Sequence, residues 1–140
     1  MTTKWDNKSC PLCAEGTLHD GNQQKSMEYR GQHYNYGVTG AFCDHCHDGF
    51  PVHDENEEAA WKSFRDQVDK NEAAELARIR KKLKLTQQEA ARITGGGHNA
   101  FSRYERGETK PVQAVLNLFR LLDHHPGLLE ELREEQLSTQ

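Results

Sequence analysis

Apolar and polar positions along this chain follow two different periods. In its first third, Met27, Tyr29, His33, Tyr34, Tyr36 and Val38 sit among Gly21, Gly31, Gly37 and Gly40. Aromatic and β-branched residues punctuated by glycine predict short antiparallel strands joined by turns. At Asp54 the composition changes abruptly to DENEEAAWKSFRDQVDKNEAAELARIRKKLKL, a strongly helix-forming run. Asp54 with Glu57 forms a capping pattern, and the acidic first turn complements the helix dipole. Ala60, Trp61, Phe64 and Val68 make one apolar stripe, which predicts packing against the strand region or a partner. The stripe restarts in a new phase at Ala73, Leu76, Ile79 and Leu83, so a break is expected near residues 69–71. The domain boundary is placed there, giving domains of residues 1–70 and 71–140. The first seven residues are polar apart from Trp5 and are expected to be a mobile extension without a role.

Residues 85–107 read LTQQEAARITGGGHNAFSRYERG. Thr86 with Glu89 three residues later is a capping box, so a helix starts at Gln87. Leu85, Ala90 and Ile93 recur at helical spacing until Thr94 and three glycines end the pattern. A second helix follows, with Phe101 and Tyr104 on one face and Asn99, Ser102, Arg103 and Arg106 on or near the other. Two short helices joined by a glycine turn predict a helix-turn-helix. Asn99 and Arg103 lie four apart and point the same way. Asn bidentate to adenine and Arg bidentate to guanine are favoured major-groove contacts, which makes these two the candidate base readers. A helical hairpin with a merely solvated polar face is the alternative. Beyond Lys110, Pro111 is expected at the first position of a further helix. Val112, Val115, Leu116, Leu118, Phe119, Leu121 and Leu122 give that helix a broad apolar face to close the core. His125-Pro126 breaks it, and Leu128, Leu129 and Leu132 mark a short amphipathic helix that trails into an acidic tail. Part of this last apolar surface is expected to serve either the core or a dimer contact.

Composition supports two small domains over one large core. Hydrophobic residues are 34% of the 140 and charged residues 29%. The net charge of −4 argues at first against a nucleic-acid partner, but its distribution reverses that. Residues 1–70 hold 7 Lys/Arg against 12 Asp/Glu, residues 71–122 hold 10 against 5, and residues 123–140 hold 1 against 5. The basic segment contains the paired helices. It includes the run Arg78, Arg80, Lys81, Lys82 and Lys84, well placed for phosphate contacts; Arg106 and Lys110 are counted as supporting contacts. No stretch approaches the roughly 18 consecutive apolar residues of a membrane span, and the N-terminus has no apolar signal region. A cytoplasmic protein with no membrane association is expected.

Four cysteines are present, as Cys10-Pro-Leu-Cys13 and Cys43-Asp-His-Cys46 with 29 residues between the two pairs. Two C-x-x-C knuckles offer four thiolates to one tetrahedral ion, the pattern of a structural zinc site with one Zn2+ per chain. Four thiolates close the coordination sphere, whereas a catalytic zinc keeps a position for water. A disulfide pair is the alternative, disfavoured in a reducing cytosol. His45, His47 and His53 lie nearby and are read as solvent-facing or supporting residues. No nucleophile, base and acid constellation stands out, so no enzyme is expected. Residues 95–97 lack the preceding strand and following Lys of a phosphate loop.

Taken together, C-P-L-C, C-D-H-C, R-K-K-L-K-L-T-Q-Q-E-A and G-G-G-H-N-A-F-S-R-Y-E-R-G resemble the MqsA family of antitoxins, also described as YgiT-type zinc-finger antitoxins. The resemblance covers roughly residues 10–133. It implies an α+β fold: a small N-terminal zinc-binding β-rich domain with a helix, then an all-α helix-turn-helix domain of the Xre/Cro-like type. It further implies that the zinc domain neutralises a cognate ribonuclease toxin of the MqsR type. The C-terminal domain would form a homodimer and repress its own operon by binding a palindromic operator in double-stranded DNA. Zinc ligands then match Cys10, Cys13, Cys43 and Cys46, base readers match Asn99 and Arg103, and Gln87 and Ser102 occupy positions suited to phosphate. The chain departs from the pattern in its N-terminal extension, its acidic tail after Arg133 and the stretch 16–40. Two readings compete with this one. One is a stand-alone helix-turn-helix regulator with a metal- or redox-sensing zinc module, and the other a nucleic-acid enzyme or its subunit.

Overall fold

A computed structural model describes the backbone of residues 2–138 and the side chains of residues 2–133. The acidic side chains of Glu134 and Glu135 and the last two residues of the tail lie outside the described residues. Two compact units are present, Met1–Arg65 and Asp66–Gln140. Strands belong to the first and the second is helical, so the fold is α+β.

In the first unit, β1 (Leu18–Tyr29) and β2 (Gln32–Cys43) form an antiparallel hairpin, registered from Leu18 opposite Cys43 to Tyr29 opposite Gln32. Arg30 and Gly31 both take positive φ, 49° and 82°. This is the two-residue turn whose twist matches that of the strands it joins, and glycine supplies the second position without strain. A third strand, β3 (Gly49–Pro51), pairs antiparallel with β2 to give the order β1-β2-β3. Opposed residues share a face of the sheet, so Tyr34 beside Met27 and Tyr36 beside Lys25 lie on one side. Helix α1 (Glu55–Lys82) brings its aromatic residues to Tyr34, which stacks on Phe64 with centroids 4.9 Å apart and lies 5.8 Å from Trp61. The predicted stripe therefore packs on the hairpin through Trp61 and Phe64, while Ala60 is exposed.

The unit's small core is Cys10, Leu18, Ala41 and Cys43, with Trp5, Cys13 and Phe50 packed against it. The N-terminal residues, expected to be mobile, are part of this structure. Trp5 stacks on Phe50 at 4.4 Å, the Thr3 amide donates to Asp20 Oδ2 at 2.9 Å, and the Asn7 amide donates to the Leu18 carbonyl at 2.8 Å. A lone Trp in a polar run carries no period, so only its partner Phe50 reveals its place.

Asp54 caps α1, its Oδ1 accepting the Asn56 amide at 2.9 Å. The helix then runs unbroken through residues 69–71, contrary to the expected break. No Gly or Pro occurs between residues 54 and 82 to interrupt it. The change in stripe phase has another cause. Trp61 and Phe64 serve the aromatic cluster of the first unit, whereas Leu76, Ile79 and Leu83 belong to the core of the second.

The second unit adds α2 (Gln87–Ile93), α3 (Ala100–Glu105), α4 (Gln113–His124), a 3-10 turn (Pro126–Leu128) and α5 (Leu129–Ser138). Phe101 and Phe119 are fully buried at its centre, with centroids 5.0 Å apart. Helices α1, α2 and α3 end in the same way. The residues Lys84, Gly95 and Gly107 take positive φ, and each following amide reaches back five residues: Leu85 to Arg80, Gly96 to Ala91, Glu108 to Arg103. Such closures satisfy carbonyls that the helix end leaves unpaired. Thr86 and Glu89 form the predicted capping box of α2. Pro111 lies outside α4 and not at its first turn. The first carbonyl of that ladder is that of Val112, which accepts from the Val115 and Leu116 amides.

One ion pair ties α3 to α1. Arg80 Nε and a terminal nitrogen donate to the two oxygens of Glu105 at 2.8 and 2.9 Å, and the other terminal nitrogen donates to the Leu85 carbonyl at 2.8 Å. Both side chains are 12% exposed. Breaking such a buried pair by removing one partner costs about 3 to 5 kcal/mol, since the other charge is left stranded.

Candidate functional site

Two loops of the first unit are built alike around the cysteines. In each, the amide after the second cysteine donates to the carbonyl of the first, Ala14 to Cys10 at 3.0 Å and His47 to Cys43 at 3.1 Å. Ala14 and His47 both take positive φ, 62° and 65°. The first cysteine's own amide is held by the carbonyl of a later residue, Cys10 by Gly16 at 2.9 Å and Cys43 by Asp48 at 2.8 Å. Each knuckle is thereby closed on itself, with both sulfurs on one side. Gly16 lies where no side chain fits, since a Cβ there would collide with Cys43 Sγ.

The four sulfurs all lie within 4.8 Å of one another and could hold a metal ion. Cys10 to Cys46 is 3.8 Å and Cys13 to Cys43 is 3.7 Å. A tetrahedron with metal–sulfur bonds of about 2.3 Å has edges of about 3.8 Å, so the thiols are already at ligand spacing. The amides of His45 and Cys46 donate to Cys43 Sγ at 3.3 and 3.4 Å. Amides of Glu15 and Gly16 lower Cys13 to a pKa of about 6. For Cys46 the Asp48 amide acts downward, but burial and the neighbouring thiols outweigh it and push the group up to about 12. Four crowded sulfurs cannot all ionise unaided, and a bound cation removes that conflict.

Two of the surrounding histidines pair with glutamates, and His47 is bound through its backbone only. His45 pairs with Glu15 at 2.7 Å and His53 with Glu58 at 3.7 Å, while the His47 carbonyl accepts from Gln23 at 2.8 Å. His19 meets Asp44 at 3.2 Å, and Asp44 also accepts the Thr17 amide at 3.0 Å. The Thr17 amide first, then His19, holds the Asp44 carboxyl below its ordinary range. Among the described residues only the four cysteines form a metal-binding group.

In the second unit, α2 and α3 are joined by residues 94–99. Asn99 is the N-cap of α3 and makes no side-chain cap bond, while its carbonyl accepts the Arg103 amide at 3.1 Å. Asn99 and Arg103 are both exposed, and among the described residues neither side chain has a hydrogen-bond or ion-pair partner. Gln87 and Ser102 are half-buried beside them.

The basic run is spent largely within the fold, which no local pattern announced. Arg78 and Lys82 both bind Asp123 near the end of α4, at 3.0 and 2.8 Å, and Lys82 also donates to its carbonyl at 2.9 Å. These bonds hold the Asp123 carboxyl down to about 2. Arg80 is the buried partner of Glu105, and Lys84 closes α1. Lys81 remains exposed. Arg106 pairs with Glu108 at 3.3 Å and donates to the Ser102 carbonyl at 3.2 Å, and Lys110 lies 3.4 Å from Asp69. Exposed pairs of this kind are weak enough to exchange for phosphate contacts.

Residues 8–133 match the family described as the antitoxin component of a bacterial toxin-antitoxin system, MqsA. The chain is also 40% identical over 129 residues to antitoxin MqsA of Escherichia coli strain K12, covering 89% of this chain and 98% of that protein.

Proposed function

Since the chain belongs to the MqsA family of antitoxins, we propose that it neutralises a cognate ribonuclease toxin of the MqsR type through its first unit and represses its own operon through its second. The observation that carries the DNA half of this reading is the pair Asn99 and Arg103. Both are exposed, one turn apart, and unused by the fold around them. A side chain pair so placed at the start of α3 can meet base edges in a major groove. Phosphate contacts come from Lys81, Gln87 and Ser102, and from Arg78, Lys82, Arg106 and Lys110 where phosphate displaces their carboxylate partners. The chain acts as a cytoplasmic homodimer on a palindrome. Val112, Leu121 and Leu128 support that reading, since the second unit leaves these large apolar side chains 60%, 57% and 47% exposed. Among the described residues no helix is long and apolar enough to cross a membrane.

Zinc, held by Cys10, Cys13, Cys43 and Cys46, has a folding role in this reading. Bound, it supplies the positive charge that lets four thiolates share one small core. The chain's own residues set the knuckles and donate amides to the sulfurs. The antitoxin acts by binding and performs no chemistry.

The test is binding to the palindrome upstream of its own gene against random DNA of equal length. Asn99→Ala and Arg103→Ala should each weaken operator binding by about 1–3 kcal/mol and random binding by less. Equal losses on both duplexes would reduce these residues to phosphate contacts.

A further inference from the structure

His98 and Gln88 stand beside the proposed base readers, and the reading above gives them no task. Gln88 lies in the first turn of α2 and His98 in the turn before α3, directly ahead of Asn99. Both are exposed, and Gln88 Nε2 lies 3.1 Å from His98 Nε2. They form a polar bridge from α2 to the connection that leads into α3, one residue before Asn99. We propose that this bridge is a further DNA contact, in which protonated His98 and the amide of Gln88 together bind a backbone phosphate. The inference rests on the operator-binding reading.

The hydrogen bond itself gives the reason. With a neutral ring that accepts at Nε2, the Gln88 amide nitrogen donates and its oxygen is left to face outward. When both ring nitrogens carry protons, Nε2 donates, and the Gln88 amide turns to offer its oxygen to the ring. Its NH2 group then faces outward. Protonation thus adds a positive charge and converts the outward group of Gln88 from acceptor to donor. Both changes favour a phosphate oxygen. An approaching phosphate favours protonation in return, because the two events are linked.

Acidic groups on the elements packed against the bridge have partners of their own: Glu105 of α3 binds Arg80, and Glu130 of α5 meets Arg133 at 3.6 Å. On α2 the charged groups are Glu89 and Arg92. Glu89 is turned to the Thr86 amide at 3.2 Å and lies 3.7 Å from Arg133 of α5. On α3 the nearest charge in sequence is Arg103, and residues 94–97 carry none.

Fluorescence anisotropy on the operator duplex and a random duplex, at pH 6 and pH 8 over a salt series, tests the proposal on the full chain. Wild type should bind both duplexes roughly fivefold more tightly at pH 6, with a salt slope steeper by about 1.8, the value for one added phosphate contact from each protomer of the dimer. His98→Gln keeps a polar side chain without the charge and should lose that pH response on both duplexes. His98→Lys should bind at pH 8 as wild type does at pH 6. The proposal is overturned if wild type is insensitive to pH, or if His98→Gln, with unchanged melting, keeps the response. A response confined to the operator would also overturn it, since that would indicate a base edge. No operator preference by wild type at either pH would instead overturn the operator-binding reading, and this inference with it.

Discussion

Asp123 illustrates how one carboxylate can decide the use of a basic run. Arg78 and Lys82, four apart on α1, both turn to it, and their hydrogen bonds depress its pKa to about 2. A carboxyl depressed in the folded state binds fewer protons there than in the unfolded chain. Its stabilising contribution is therefore complete above the ordinary carboxylate range, near pH 4, and is lost as pH falls through about 2. Asp123→Asn should accelerate amide exchange in α4 at pH 7, and the difference from wild type should shrink as the pH approaches 2. Equal exchange rates at pH 7 would mean that the pair adds nothing to stability. The buried Arg80–Glu105 pair is the stronger case. Arg80→Ala should destabilise the second unit by about 3 kcal/mol in urea unfolding, and a loss below about 1 kcal/mol would indicate that water takes the place of the guanidinium. Neither pairing was legible in the sequence. A charge run looks the same whether its partners are phosphates or carboxylates 25 to 45 positions away.

Local chemistry governed the elements, and these were the most legible. The Thr86–Glu89 box and the glycine stop after Thr94 each depend on a few adjacent residues, whereas of the glycines read as turn markers only Gly31 is in a turn, and Gly21, Gly37 and Gly40 lie within two twelve-residue strands. Lys84 stands apart, a lysine in the left-handed conformation that ends α1. Lys84→Gly should raise the stability of the second unit by about 1 kcal/mol, because the left-handed strain exceeds the added chain entropy. A lower melting temperature would show that the lysine stem packs usefully. The break predicted in α1 failed for a different reason. A stripe changes phase at a kink, but also where an unbroken helix serves first one core and then another, and periodicity cannot separate the two. Trp5 was missed because its role depends on a single aromatic partner 45 residues away. The knuckles show the opposite balance. The C-x-x-C spacing identified the four sulfurs, and the structure places them at the edge length of a metal–thiolate tetrahedron. Cys43→Ser should therefore abolish tight binding of one zinc per chain and unfold the first unit. A folded, zinc-free variant would remove the metal from the folding account.

At the scale of the whole molecule, charge and core are divided between the two units. The first unit carries the sheet and the thiols with 6 Lys/Arg against 10 Asp/Glu, and the second is neutral overall with 12 against 12, its basic excess confined to the segment of the paired helices. An ordinary apolar core is small in the first unit, where two of the four buried members are cysteines. The second has a continuous core around Phe101 and Phe119. Removal of a metal bound by the four cysteines should accordingly strike the two units unequally, and the proposed division of labour follows the same line. Its most direct test is inhibition of the cognate ribonuclease toxin, read as RNA cleavage, by the full chain and by a fragment beginning at Asp66. The full chain should stop cleavage at one equivalent, while the fragment should leave cleavage unchanged and still shift operator DNA. Inhibition by the fragment as strong as that by the full chain would contradict the assignment of the toxin to the first unit.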